Sequence, residues 1–164
     1  MFTLNMDNPS VVEPVTDVVY ARGPIGNSLD ILDTARPQIC ELFDTLLSQD
    51  NAYPLLICGD KWMRDQNLLA VLILLLLDIP VEHISADHIA SVQSLPTDQS
   101  QCNSKGEFAF VEAMVSNREL WVDAIKAHLD KLYGGAAEYI SQGNVTSQTF
   151  SSLRSVLQAG FKAY

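Results

Sequence analysis

The stretch YPLLICGDKWMRDQNLLAVLILLLL, residues 53–77, governs how the chain is read. Tyr53 to Cys58 is a short, unbroken apolar run with turn formers on both sides, Asp50-Asn51 before it and Gly59-Asp60 after it. That pattern predicts a buried strand. Gly59 to Gln66 is a polar loop. From Asn67 onward the helical pattern is apolar on every face, so this helix has no solvent side and belongs at the centre of the fold. It stops at Asp78-Ile79-Pro80. Strand, loop and greasy helix together predict an α/β domain, with a small sheet surrounded by helices and the Leu68–Leu77 helix buried at its middle.

Outward from this stretch the chain divides simply. Residues 1–14 are polar, carry Pro9 and Pro14, and read as a flexible leader; residues 15–164 read as one domain. TDVVYARG (16–23), closed by Gly23-Pro24, predicts a short strand. Apolar residues recur at helical spacing from Ser28 to Leu47, with Asp30 or Asp33 as caps and Pro37 in the first turn of a second helical piece. Further helices are expected over 80–92, over 108–132 with a break near Ser116-Asn117, over 136–140 after the Gly134-Gly135 stop, and over a last segment capped by Thr146 or Ser147. Residues 94–107 are loop in character.

The chain has 164 residues, 48% of them apolar, with 20 acidic against 10 basic side chains. A net charge of −10 repels polyphosphate backbones, which excludes nucleic acid as a partner. The run from Leu68 to Leu77 is too short to span a bilayer. Three cysteines, Cys40, Cys58 and Cys102, do not make a disulfide framework and point to a reducing, cytoplasmic compartment. His83 and His88 do not share a helix face, His128 is remote, and no set of ligands has metal spacing, so neither a metal nor another cofactor is expected. Cys40 and Cys102 read as structural, Asp87 as a cap or loop anchor, and Trp121 and Tyr133 as core and rim.

The loop carries the chemistry. Cys58 and Arg64 stand six apart, Cys-x5-Arg, between the run and the helix. A loop of this length can turn its backbone N–H groups around one tetrahedral anion, and the helix N-terminus adds partial positive charge. A cysteine facing that charge has a lowered pKa and becomes a thiolate nucleophile. An arginine there grips two anion oxygens with its planar fork.

Over residues 28–158 the chain resembles the atypical tyrosine phosphatase-like family, bacterial and fungal protein and lipid phosphatases of the cysteine-phosphatase superfamily. The family's loop, His-Cys-Thr-Ala-Gly-Lys-Asp-Arg-Thr-Gly, is similar to Ile57–Gln66, and its Gly-Val-Pro turn to Asp78-Ile79-Pro80. Its Ile-x-Ala-Asp-Tyr segment is similar to Ile84–His88, and its Tyr-Gly-Gly segment to KLYGGAAEYI. The resemblance implies a reduced cysteine-phosphatase-like domain, with Cys58 as nucleophile and Arg64 as phosphate ligand. The departures lie in the loop itself. Ile57 replaces the histidine, Lys61 a glycine, Trp62 the lysine and Met63 the aspartate that is a proposed general acid; Asp65 replaces the hydroxyl residue and Gln66 the next glycine. The family's long N-terminal portion, with its extra strands, is expected to have no counterpart within these 164 residues.

Three functions follow as expectations. One is a divergent phosphatase with weak or lost phosphate-monoester hydrolysis. Another is a repurposed small-molecule enzyme, a cyclase, isomerase or dehydratase of secondary metabolism, with Asp60, Lys61 and Asp65 moving protons and Gly59, Trp62, Met63 and Gln66 lining the substrate pocket. The last is a non-catalytic pseudophosphatase that binds a partner, with a homodimer completing the sheet edge. For each residue the plain alternative stands beside these: Cys58 as a small buried apolar group, Arg64 ion-paired with Asp60, Asp65 or Glu41, and Trp62 and Met63 as core cover.

Overall fold

The computed structural model of the chain describes residues 9–48, 64–93 and 105–141, with positions 57, 95 and 102. Six helices follow one another through these residues: α1 (Pro9–Thr34), α2 (Arg36–Ser48), α3 (Arg64–Leu76), α4 (Val81–Gln93), α5 (Lys105–Tyr133) and α6 (Ala136–Ser141). No strand is present among the described residues. The expected α/β architecture with a small sheet is therefore overturned, and the described fold is helical.

The first expected strand fails for a definite reason. TDVVYARG lies inside α1, which begins at Pro9. Its Val18, Val19 and Tyr20 favour extended backbone, and Gly23-Pro24 looks like a terminator. In the fold Gly23-Pro24 bends a helix instead of ending a strand. Gly23 takes φ 67°, ψ 175°, a conformation essentially restricted to glycine. The extended ψ is what the following proline ring demands. Pro24, with φ preset, restarts the helix as its first residue. Arg22 and Asp30 tie the two arms across the bend, with Arg22 Nε and Nη2 donating to the carboxylate at 2.7 and 2.6 Å. Of the second expected strand, 53–58, only Ile57 is described; it is half-buried and belongs to no regular element. The rest of that run and the expected last helix lie outside the described residues.

The other helix expectations are met closely. Pro37 is the second residue of α2, where its missing N–H costs nothing. The end of α3 is a Schellman turn. Asp78 sits at φ 56°, Ile79 N–H donates to Leu74 O at 3.1 Å and Asp78 N–H to Leu75 O at 3.1 Å, and Pro80 blocks continuation. Gly134 and Gly135, at φ 84° and 120°, stop α5. The break expected near Ser116-Asn117 does not occur. Asn117 Nδ2 donates to Ala113 O at 2.8 Å, so the amide lies back along its own helix and shares that carbonyl without interrupting the helix.

The long α5 organises the packing: α1 and α4 both lie along it, and α6 folds back on its end. Its buried Phe110, Val111 and Met114, and after a two-turn step Trp121, Val122, Ile125 and Leu129, lie on one face, with the half-buried polar Asn117 and Arg118 between the two groups. The lower half of the stripe joins Leu32, Phe43, Leu68, Leu72, Ile84, Tyr139 and Ile140 in the main core. The upper half packs with Val92 and Leu95 in a second cluster. The apolar α3 supplies Leu68, Val71, Leu72 and Leu76 to the main core, while Leu69, Ile73, Leu74 and Leu75 are only partly buried against it.

Tyr139, fully buried on α6, ties that helix to α1 and α2. Its hydroxyl donates to Leu32 O at 2.6 Å. Its own carbonyl accepts from Arg36 Nε at 3.1 Å and Nη2 at 2.9 Å. The Arg36 guanidinium also lies 4.5 Å from the centre of the Tyr133 ring. Tyr139→Phe removes the hydroxyl and leaves the Leu32 carbonyl buried without it, and is expected to cost about 1–3 kcal/mol in urea unfolding. Gly23→Ala meets no steric obstacle within 4 Å, yet should lower stability by about 1–3 kcal/mol through backbone strain alone. A thermal melt unchanged by that substitution would show that the bend is not required.

Candidate functional site

Arg64, Asp65 and Gln66 form the first turn of α3. The first N–H groups of a helix have no carbonyl partner within it, so this turn presents donors and a fraction of a positive charge toward whatever precedes it. What precedes it in sequence is Cys58 to Met63. Gln66 is half-buried. Cys58, Gly59, Asp60, Lys61, Trp62 and Met63 lie outside the described residues, as do the side chains of Arg64 and Asp65. The arginine of Cys-x5-Arg is thus the first residue of α3.

The opposite end of α3 has different surroundings. Leu75, Leu76 and Asp78 border a cleft of about 240 Å³ with Lys126, Leu129 and Asp130 of α5 and Ala136, Ala137 and Glu138 of α6. Lys126 and Asp130 pair across one helical turn at 2.5 Å. A helix of 13 residues is about 20 Å long, so this cleft and the α3 N-terminus are separate places.

A second polar constellation escaped the sequence reading. Asp33, expected as a helix cap, instead accepts two hydrogen bonds from α5: His128 Nε2 donates to Oδ1 at 2.8 Å and the Tyr133 hydroxyl donates to the same atom at 2.6 Å. Burial pushes the Asp33 carboxyl up, but the bonds from Tyr133 and His128, with the field of His128, outweigh it and hold it below the usual carboxylate range. The same carboxylate drives the Tyr133 phenol up. No local pattern announces this group, because 95 residues separate Asp33 from His128. It clamps α1 to α5 and lines no cleft described above. His83 and His88, weighed in the sequence as a pair, part company: His83 is exposed and His88 is buried. Cys40 is buried with Sγ 3.6 Å from Tyr139 O, and Cys102 is half-buried beside the second cluster, in keeping with structural roles. Trp121 is in the core and Tyr133 at its rim.

No helix among the described residues is long and apolar enough to cross a membrane. Compared with known proteins, residues 26–159 match the model of the tyrosine phosphatase family. No curated protein and no solved structure matches the chain significantly.

The Asp33 side chain is 42% exposed, so solvent screens its bonds and their worth is below about 1 kcal/mol. Asp33→Asn should lower stability by that small amount near pH 7. Because the folded carboxyl titrates below its unfolded value, the difference from wild type should persist above about pH 4. It should close as pH falls through the depressed folded value, read from urea midpoints across pH.

Proposed function

The chain belongs to the tyrosine phosphatase family, and from that membership we propose that residues 58–64 form a cysteine-dependent phosphoryl-transfer site whose phosphatase activity is weak. The supporting observation is that the family match spans the loop while α3 begins at Arg64. In this reading the Cys58 thiolate attacks phosphorus and the ester oxygen departs with its electron pair. Water then hydrolyses the cysteinyl phosphate to free thiolate and inorganic phosphate. Arg64 holds two non-bridging oxygens, and backbone N–H groups of the loop and the first turn of α3 hold the rest.

The loop's own residues set the rate. Met63 stands where the family has its proposed proton donor, and loss of general acid catalysis costs about 10²–10⁴ in rate. Asp60 and Asp65 bring two carboxylates to a site for a dianion. Each opposes it by on the order of 3 kcal/mol at about 5 Å and an effective dielectric near 20. Lys61 and Arg64 offset this in part. The leaving group therefore decides the outcome. An aryl phosphate whose phenolate leaves unprotonated should be cleaved, while an alkyl phosphate, which needs the missing acid, should be nearly inert.

The test uses p-nitrophenyl phosphate and an alkyl phosphate side by side. Slow release of nitrophenolate, absent in Cys58→Ser and reduced at least 10²-fold in Arg64→Met, is the expected result. Persistence of turnover in Cys58→Ser would overturn the reading. Activity on a neutral substrate lost in Asp60→Asn or Asp65→Asn would assign the loop to acid–base chemistry instead. Absence of any phosphate-ester turnover would leave the loop without the catalytic role given to it here.

A further inference from the structure

His88 is a polar group on an otherwise apolar face. It lies on α4 between Ile84, which packs in the main core, and Val92, which packs in the second cluster. Only 5% of it is exposed, and among the described residues its Nδ1 has no hydrogen-bond partner. Its ring lies flat on the Trp121 indole of α5, with centroids 4.3 Å apart and planes 16° from parallel. The indole N–H then donates to Ser28 Oγ at 3.0 Å, and the Ser28 hydroxyl donates to Pro24 O at 2.9 Å. Pro24 is the residue that follows the bend at Gly23. One line of contacts thus runs from α4 through α5 to the bend of α1, and it begins at an imidazole.

We propose that the His88–Trp121–Ser28 line is an acid-sensitive joint: protonation of His88 loosens α4 from α5 and releases the hydrogen bonds that hold α1 at its bend. A neutral imidazole stacks there as a phenyl ring would. An imidazolium brings a charge into a dry contact and two N–H donors, one of them at the unpartnered Nδ1. The indole face attracts a cation, but this returns only part of the lost hydration. From α4 itself the charged neighbour is Asp87, which is exposed and favours protonation weakly. From α5 the ring faces the uncharged indole; Arg118, one turn earlier on that helix, is the cation nearest the stack in sequence, and its Nη1 donates to Val115 O at 2.9 Å. From α1 the group behind the indole is the Ser28 hydroxyl. Burial dominates this balance and pushes the His88 pKa down to about 4, well below the value the unfolded chain would show.

The sign follows from linkage. The unfolded chain binds the His88 proton first as pH falls, so the joint is intact above about pH 6.5 and weakens as pH drops toward 4. Other carboxylates and histidines titrate in the same range, and comparison with a non-titrating ring cancels them. Unfolding constants of the full chain, from urea titrations between pH 7.5 and 4, are to be measured for wild type, His88→Phe and His88→Gln. The ratio of wild-type to His88→Phe constants should be flat above pH 6.5 and rise by up to about tenfold per pH unit between roughly pH 6 and 4.5. His88→Gln, equally unable to titrate, should give the same pH dependence if the phenyl ring packs badly. The relay is read separately from solvent exchange of the Trp121 indole N–H, assigned as the indole signal that survives Trp62→Phe. At pH 5 it should exchange faster in the wild-type ring background than in His88→Phe, and at pH 7.5 the two should agree. A pH-independent ratio for both variants overturns the joint, and so does an indole equally protected at pH 5 in both backgrounds.

Discussion

The fold depends on one face of α5. This helix carries a buried apolar stripe in two stretches, Phe110 to Met114 and Trp121 to Leu129, and α1 and α4 both pack along it. Without that stripe the main core and the second cluster would have no common wall. This is a hydrophobic constraint before it is anything else: burying side chains of the size of Trp121, Ile125 and Leu129 is worth roughly 1.5–3 kcal/mol each, more than any exposed ion pair on this surface. The polar contacts then choose among the ways α1 could lie on the stripe. Ser28 meets Trp121, Asp33 meets His128 and Tyr133, and both follow α1 and α5 in the same chain direction.

The same economy of polar groups marks the junction of α1, α2 and α6. Tyr139 and Arg36 satisfy carbonyls that would otherwise be stranded where α1, α2 and α6 meet. The guanidinium lies over the aromatic rings and bonds a backbone oxygen, so its charge is used twice. None of these groups belongs to the loop that carries the proposed chemistry. The packing contacts among the described helices are thus made by other parts of the sequence than residues 58–63.

The contrast between the loop and the scaffold is a matter of charge. In the proposed site the helix start at Arg64 would favour an anion, with Cys58 as nucleophile and Arg64 as ligand. Asp60 and Asp65 oppose a doubly charged ligand on the same loop. In the proposed reading, such a balance favours substrates whose leaving groups depart readily and that carry little excess charge.

Much of the helical layout is legible in the residues alone. Proline at a helix start, glycine pairs at a helix end and the three-and-four spacing of apolar side chains act within a few residues of one another, so Pro37, Gly134-Gly135 and the greasy run after Asn67 mark α2, the end of α5 and α3 without reference to the rest of the chain. The Cys58 and Arg64 spacing is local too, and so is the resemblance it carries. What local pattern misjudged was Gly23-Pro24, because the same dipeptide ends a strand or bends a helix, and only the face of α5 that carries Trp121 and Val122 gives α1 a surface to follow. Asp33 with His128, Tyr139 with Leu32, and His88 on Trp121 were beyond reach for the same reason. Their partners stand far apart in the chain, and nothing but the packing of helices brings them within hydrogen-bonding or stacking distance.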